Sequence, residues 1–379
     1  MREYLLVFLV AAAATYLLTV IAREIALRTG AVARVRDRDV HAEPVPYLGG
    51  LAMLGGLVAA YVVAHQLPFL SRSQPFVFHD AKIVLIAGAM ICAIGTLDDL
   101  FELDALTKLG GQVLAAGFLI LNGIQYILFP LPRGGQFSLD SAQGALLSAF
   151  VIVATINAVN FVDGLDGLAT GVVAIGAIAF FVFCYQLTSL NNASLASTGA
   201  LLSAMLGGVC AGFLPHNYNP ARVFMGDSGS MLIGLVLSAS AITLTGQYSG
   251  ADLAHGAMGS PASLAPTFLP LTLPVLLLVV PIADLVLAVI RRTRAGRSPM
   301  APDKQHLHHR LLEIGHSQRR AVMIMWMWAA LVAGSTVVIS LYTGLVMWMG
   351  IAAAAAITIG LTFVLPVVRR PRLPVHEDA

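Results

Sequence analysis

The chain has 379 residues, of which 58% are hydrophobic and only 11% charged, and its mean hydropathy is +0.83. Soluble domains carry roughly 25% charged residues, so this composition excludes a soluble globular protein and places the chain in a bilayer. A formal net charge of +2 leaves no electrostatic footprint for a nucleic-acid partner.

Apolar stretches close to the length of about 20 residues that a helix needs to cross hydrocarbon recur along the chain. They lie near 4–22, 48–67, 82–97, 107–128, 143–161, 167–188, 197–215, 228–247, 267–289, 321–342 and 345–366. The pattern predicts an all-α polytopic membrane protein of about eleven transmembrane helices, in a single domain over 1–379. The first stretch has no basic run beyond Arg2 and no small-residue cleavage pattern. It therefore reads as a span rather than a leader, with the mature chain expected to start at Met1. Cys92, Cys184 and Cys210 all fall inside apolar stretches, which reads as small core residues rather than disulfides or a thiolate metal site.

An odd number of spans puts the termini on opposite sides, and the excess of Lys and Arg on the cytoplasmic side selects the N-terminus outside and the C-terminus in the cytoplasm. In that orientation only Arg2, Arg72, Lys82 and Arg133 of the 22 basic residues remain outside. A basic, histidine-containing loop over 290–320 and a flexible tail over 369–379 are then cytoplasmic.

Four motifs gather on that face. Gly95-Thr96-Leu97-Asp98-Asp99 ends an apolar stretch with two adjacent carboxylates, and Lys108 follows. Such a pair marks either an interfacial helix end or a magnesium or general-base site. Asn157-Ala158-Val159-Asn160-Phe161-Val162-Asp163-Gly164-Leu165-Asp166-Gly167 places hard oxygen donors beside two glycines, more than a polar turn requires. Phe224-Met225-Gly226-Asp227-Ser228-Gly229-Ser230 opens a span. Asp227 there is either an N-cap or the ligand of a cation that joins the helix start to phosphate oxygens. The loop carries Asp303-Lys304-Gln305-His306-Leu307-His308-His309-Arg310. Without cysteines or an H-x-x-x-H spacing, its histidines fit phosphate or sugar donors better than a zinc site.

Taken together and in this order, the motifs resemble those of the polyprenyl-phosphate N-acetylhexosamine-1-phosphate transferases (glycosyltransferase family 4), over about Pro46 to Arg320. Pro46-Tyr47-Leu48-Gly49-Gly50 and Gln305-His306-Leu307-His308-His309-Arg310 resemble the branch that uses undecaprenyl or decaprenyl phosphate and GlcNAc. They differ from the P-T-M-G-G element of the branch that handles MurNAc-pentapeptide. The resemblance implies transfer of GlcNAc-1-phosphate from UDP-GlcNAc to a polyprenyl phosphate, releasing UMP, as the first step of a cell-envelope glycopolymer. It implies a bacterial cytoplasmic membrane with the site on the cytoplasmic face, magnesium as cofactor with manganese as a substitute, and contact with membrane lipid. It leaves open a homodimer, another UDP-N-acetylhexosamine and UDP-MurNAc-pentapeptide.

Carried over position by position, Asp98 and Asp99 are expected to be catalytic, with Asp227 and Asn160 as metal ligands. Lys108 is expected at the donor diphosphate. Asp163, Gly164, Asp166 and Phe224 are expected around the nucleotide, and His306, His308, His309 and Arg310 at phosphate or sugar. The different-class alternative, a transporter of nucleotide sugars or lipid-linked sugars, would call for midplane acids and paired repeats, and the sequence shows neither.

Overall fold

The computed structural model describes residues 1–30, 32, 45–72, 75–130, 136–191, 196–245, 293, 317–341 and 344–364. Helix dominates them, because a segment in hydrocarbon has no water for its peptide groups and the helix satisfies them internally. In chain order the helices are α1 (Arg2–Thr29), α2 (Gly49–Gln66), the short α3 (Pro68–Ser71), α4 (Pro75–Phe101), α5 (Ala105–Leu121) and α6 (Ser141–Val162). They continue as α7 (Leu168–Asn191), α8 (Ala196–Asn217), α9 (Gly226–Thr245), α10 (Gln318–Leu341) and α11 (Leu345–Val364). Nine helices among the described residues are long and apolar enough to cross a membrane, and α5 is a shorter apolar helix of 17 residues. The protein is an all-α polytopic membrane protein. Its described strands form one small antiparallel hairpin, β1 (Leu128–Pro130) with β2 (Gln136–Ser138), between α5 and α6.

Ten of the predicted spans fall on these helices. The span at 267–289, the loop residues His306, His308, His309 and Arg310, and the 369–379 tail lie outside the described residues. Several boundaries move, the span read at 4–22 running on to Thr29 among them. The span read at 82–97 extends from Pro75 to Phe101, since proline is well suited to the first helical turn. The span read at 107–128 stops at Leu121, where Gly123 takes a left-handed φ of 88° that turns the chain out of the helix.

Nearly every residue of α9 is buried, whereas α11 is exposed along most of its length. Around α9 pack α2, α4, α6 and α8, with α1 against α2 and α8, and α10 against α7. Lipid tails are as apolar as leucine, so helices associate here through close packing rather than through apolar burial. Small residues permit that approach: a Cβ on Gly234 of α9 would lie 2.9 Å from Ile156 Cα of α6. Cys92, Cys184 and Cys210 are free and buried.

One consequence of the helix order governs the site. The end of α4, the start of α5, the end of α6 and the start of α9 come together at one end of the bundle, because the side chains of Asp98, Lys108, Asn160 and Asp227 are in contact there.

Candidate active site

Asp98 and Asp99 occupy the last turn of α4 and point to different partners. Asp98 is buried at 6% exposure; its Oδ1 accepts the Leu103 amide at 2.8 Å, and its Oδ2 is paired with the Lys108 ammonium. The chain reverses between α4 and α5 at Glu102, a non-glycine residue with φ 51°. Asp104 then starts α5, accepting the amides of Leu106 and Thr107 at 2.9 Å each and the Thr107 hydroxyl at 2.7 Å. That hydroxyl and amide hold the Asp104 carboxyl below its usual range. Lys108 follows in the first turn of α5, where the helix dipole disfavours a cation. Its place is set instead by carboxylates: Nζ is paired with Asp98 and donates to Asp227 Oδ2 at 2.9 Å.

Asp99 caps a different helix. Its Oδ1 accepts the Asp227 amide at 2.7 Å and its Oδ2 the Ser228 amide at 3.2 Å, so one carboxylate satisfies two amides at the start of α9 and complements the dipole there. The sequence reading paired Asp99 with Asp98 as catalytic. In the structure both Asp99 oxygens accept backbone amides at the start of α9, those of Asp227 and Ser228.

Two glycines allow this contact. Gly226 has φ 68°, and a Cβ there would lie 2.3 Å from Asp99 Oδ2; a Cβ on Gly95 would lie 2.4 Å from Ser228 Cα. From the other side the Pro46–Gly50 segment braces the same turn. Phe224 donates its amide to Pro46 O at 2.9 Å, while Gly49 and Gly50 donate theirs to Phe224 O at 3.2 Å and Met225 O at 3.1 Å. The ring of partly buried Phe224 lies 6.2 Å from that of Tyr47.

Asn160, near the end of α6, donates from Nδ2 to Asp227 Oδ1 at 2.9 Å and to Ser230 Oγ at 2.9 Å. The Asp227 carboxylate is therefore held at one oxygen by Lys108 and at the other by Asn160. Asp163 follows at the C-cap of α6, where burial and the charges of Asp227, Asp99 and Asp166 push its carboxyl up to about 8. Asp166 is buried, with Oδ2 accepting Asn219 Nδ2 at 2.9 Å and the Ala221 amide at 3.1 Å. Gly164 is exposed beside it. Asn217 ties this turn to α8, accepting the Gly167 amide at 3.1 Å and the Thr170 hydroxyl at 2.9 Å.

Among the described residues no group of three or more His, Cys, Asp and Glu side chains forms a metal cage. What the site offers is two carboxylates, Asp98 and Asp227, sharing one cation, the Lys108 ammonium. That donor set suits magnesium, which is commonly held by one or two carboxylates together with substrate phosphates and water.

The family model described as "Glycosyl transferase family 4" matches residues 81–245, a range that holds every contact of this site except the Pro46–Gly50 brace. The decaprenyl-phosphate N-acetylglucosaminephosphotransferase of Mycolicibacterium smegmatis is 46% identical, over 98% of this chain and 90% of its own length. The chain belongs to glycosyl transferase family 4. The protein of the same name from Mycobacterium tuberculosis is 48% identical over 88% of this chain and 81% of its own length. The undecaprenyl-phosphate alpha-N-acetylglucosaminyl 1-phosphate transferase of Escherichia coli is 28% identical over 84% and 79%.

The structure of this family 4 member brings together Asp98, Asp99, Lys108, Asn160, Asp163 and Asp227, with Asp166, Gly164 and Phe224 on the adjoining turns. Several participants had no role in the site assigned to them from the sequence. Ser230 and Asn217 are polar residues in apolar context, a signal visible in the sequence. Gly95 and the Gly49-Gly50 pair carry no polar signal; their role lies in the backbone that approaches them.

Proposed function

We propose that this multi-pass membrane protein transfers GlcNAc-1-phosphate from UDP-GlcNAc to a polyprenyl phosphate, giving polyprenyl-diphosphate-GlcNAc and UMP. The step initiates a cell-envelope glycopolymer and takes place at the cytoplasmic face of a bacterial membrane. The observation that carries the reading is the Lys108 ammonium between Asp98 and Asp227, in a chain with relatives bearing the names above.

In the reaction an oxygen of the lipid phosphate forms a bond to the β-phosphorus of UDP-GlcNAc as the bond from that phosphorus to the bridging oxygen of UMP breaks. Both reactants are anionic, so positive charge held in place is the main requirement. Lys108 supplies it, fixed by two carboxylates and able to share its ammonium with the donor diphosphate. Asp227, bonded to Asp99 through its amide and to Asn160 through its carboxylate, is the residue that would hold a magnesium ion, with Asp98 beside it. Asn160 would join them through its carbonyl oxygen, since its Nδ2 is engaged with Asp227 and Ser230. When bound, magnesium or manganese neutralises phosphate charge and stabilises the leaving group.

Asp98 would orient the acceptor phosphate or take its remaining proton. A phosphate monoester has a second pKa near about 6, so orientation is the larger demand. Phe224, Gly164, Asp163 and Asp166 form the nucleotide side of the site, and His306, His308, His309 and Arg310 serve the sugar and phosphates.

Purified protein with magnesium, a polyprenyl phosphate and a panel of UDP-sugars tests the assignment. UDP-GlcNAc should give a lipid-linked product with far higher kcat/KM than UDP-MurNAc-pentapeptide. Efficient use of the pentapeptide donor would overturn the choice of donor.

A further inference from the structure

One helical turn deeper in the bundle than Lys108, Asn160 and Asp227, the same three helices meet again. Gln112 lies four residues after Lys108 on α5, Asn157 three residues before Asn160 on α6, and Met231 four residues after Asp227 on α9. Those spacings keep each residue on the helix face of its counterpart. Gln112 joins the three. Its side chain is 3% exposed, and Nε2 donates to Asn157 Oδ1 at 3.3 Å and approaches Met231 Sδ at 3.6 Å. Its Oε1 accepts Asn157 Nδ2 at 2.6 Å, and that nitrogen also donates to Val153 O at 2.8 Å.

A buried amide among apolar helices is costly unless both of its ends are satisfied. A reciprocal amide pair satisfies them, but at a single axial and rotational register of α5 against α6. Hydrogen bonds between membrane helices contribute little to stability on average, so stability alone is a weak reason for the pair. Register matters more. Lys108 must reach Asp227 Oδ2 from α5 while Asn160 reaches Oδ1 from α6, and a slip of either helix separates a donor from its carboxylate oxygen.

We propose that the Gln112–Asn157 pair, seated against Met231, is a positioning clamp that keeps Lys108 and Asn160 on the Asp227 carboxylate. The pair acts through those residues and touches no reacting atom. It rests on the reading of the Lys108–Asp227 site given under Proposed function.

The test uses full-length protein and measures kcat, KM for UDP-GlcNAc and thermal midpoint. The variants are Gln112→Ala, Asn157→Ala, their combination, and the exchange Gln112→Asn with Asn157→Gln, with Lys108→Ala as reference. A misplacement of about 1 Å costs on the order of 100-fold in rate. Each alanine variant should therefore lose about tenfold or more in kcat, with KM within about twofold and an unchanged thermal midpoint. The combined variant should be no slower than the worse single one, since both break the same contact, and the exchange, which keeps both amides, should recover part of the loss. Should an alanine variant fail to fold, the exchange variant alone decides, by recovering or not recovering kcat at a normal thermal midpoint. Wild-type kcat in the alanine variants, losses that multiply in the combination, or losses that follow the thermal midpoint would each overturn the clamp. An active Lys108→Ala would overturn the site itself, which separates the two failures.

Discussion

At the scale of single residues, adjacent carboxylates on one helix turn do different work. Asp98 pairs with the Lys108 side chain, whereas Asp99 accepts two backbone amides of α9. Their asparagine variants should separate. Asp99→Asn keeps the shape but loses one acceptor and the charge at a helix start, and losing such a cap costs about 0.5–2 kcal/mol; it should lower the thermal midpoint along with kcat. Asp98→Asn should leave the thermal midpoint near wild type and lower kcat alone. Equal thermal losses in both would contradict this division. Sequence alone could not make it: adjacency and acidity marked the pair, but which oxygen meets which donor depends on a contact 128 residues away in the chain, between Asp99 and Asp227.

At the scale of elements, the site is a meeting of helix ends, and glycines govern how close those ends come. The start of α9 depends on Gly226, which both adopts a left-handed φ and leaves room for the Asp99 carboxylate. Gly226→Ala should cost roughly 1–3 kcal/mol for the backbone conformation, with a further loss as Asp99 is displaced. The thermal midpoint and kcat should fall together, and a variant with both unchanged would show that the cap is unimportant. Helix existence was legible because about 20 apolar residues in a row have few alternatives in lipid. Helix ends were less so. Asp104 has no role assigned from the sequence, and its contacts with Leu106 and Thr107 reveal it as the cap that starts α5, the helix that carries Lys108. The Pro46–Gly50 segment served in the sequence as a mark of branch, while in the structure its backbone braces Phe224 and Met225.

At the scale of the whole molecule, alternate crossing would put the ends of α4 and α6 and the starts of α5 and α9 on one face, which the proposed orientation, drawn from the distribution of basic residues, takes as cytoplasmic. An impermeant thiol reagent tests the assignment with little background, because Cys92, Cys184 and Cys210 are buried. A cysteine at exposed Glu102, between α4 and α5, should label only from the cytoplasmic side, and one at exposed Ser138, in the β hairpin, only from outside. Labelling of both from one side would mean that α5 does not cross. In the proposed reaction lipid, donor nucleotide and cation meet at that end, and Asp227 is the carboxylate proposed to serve all three. The most direct measurement follows UMP and lipid-linked GlcNAc together, for wild type with magnesium, wild type with excess chelator, and Asp227→Asn with magnesium. The account predicts UMP and lipid product in equal amounts for the first, and a fall of about 100-fold or more in both for the other two, in line with the loss of a principal electrostatic contact. UMP release without lipid product in the first, or undiminished lipid product in either of the others, would contradict it.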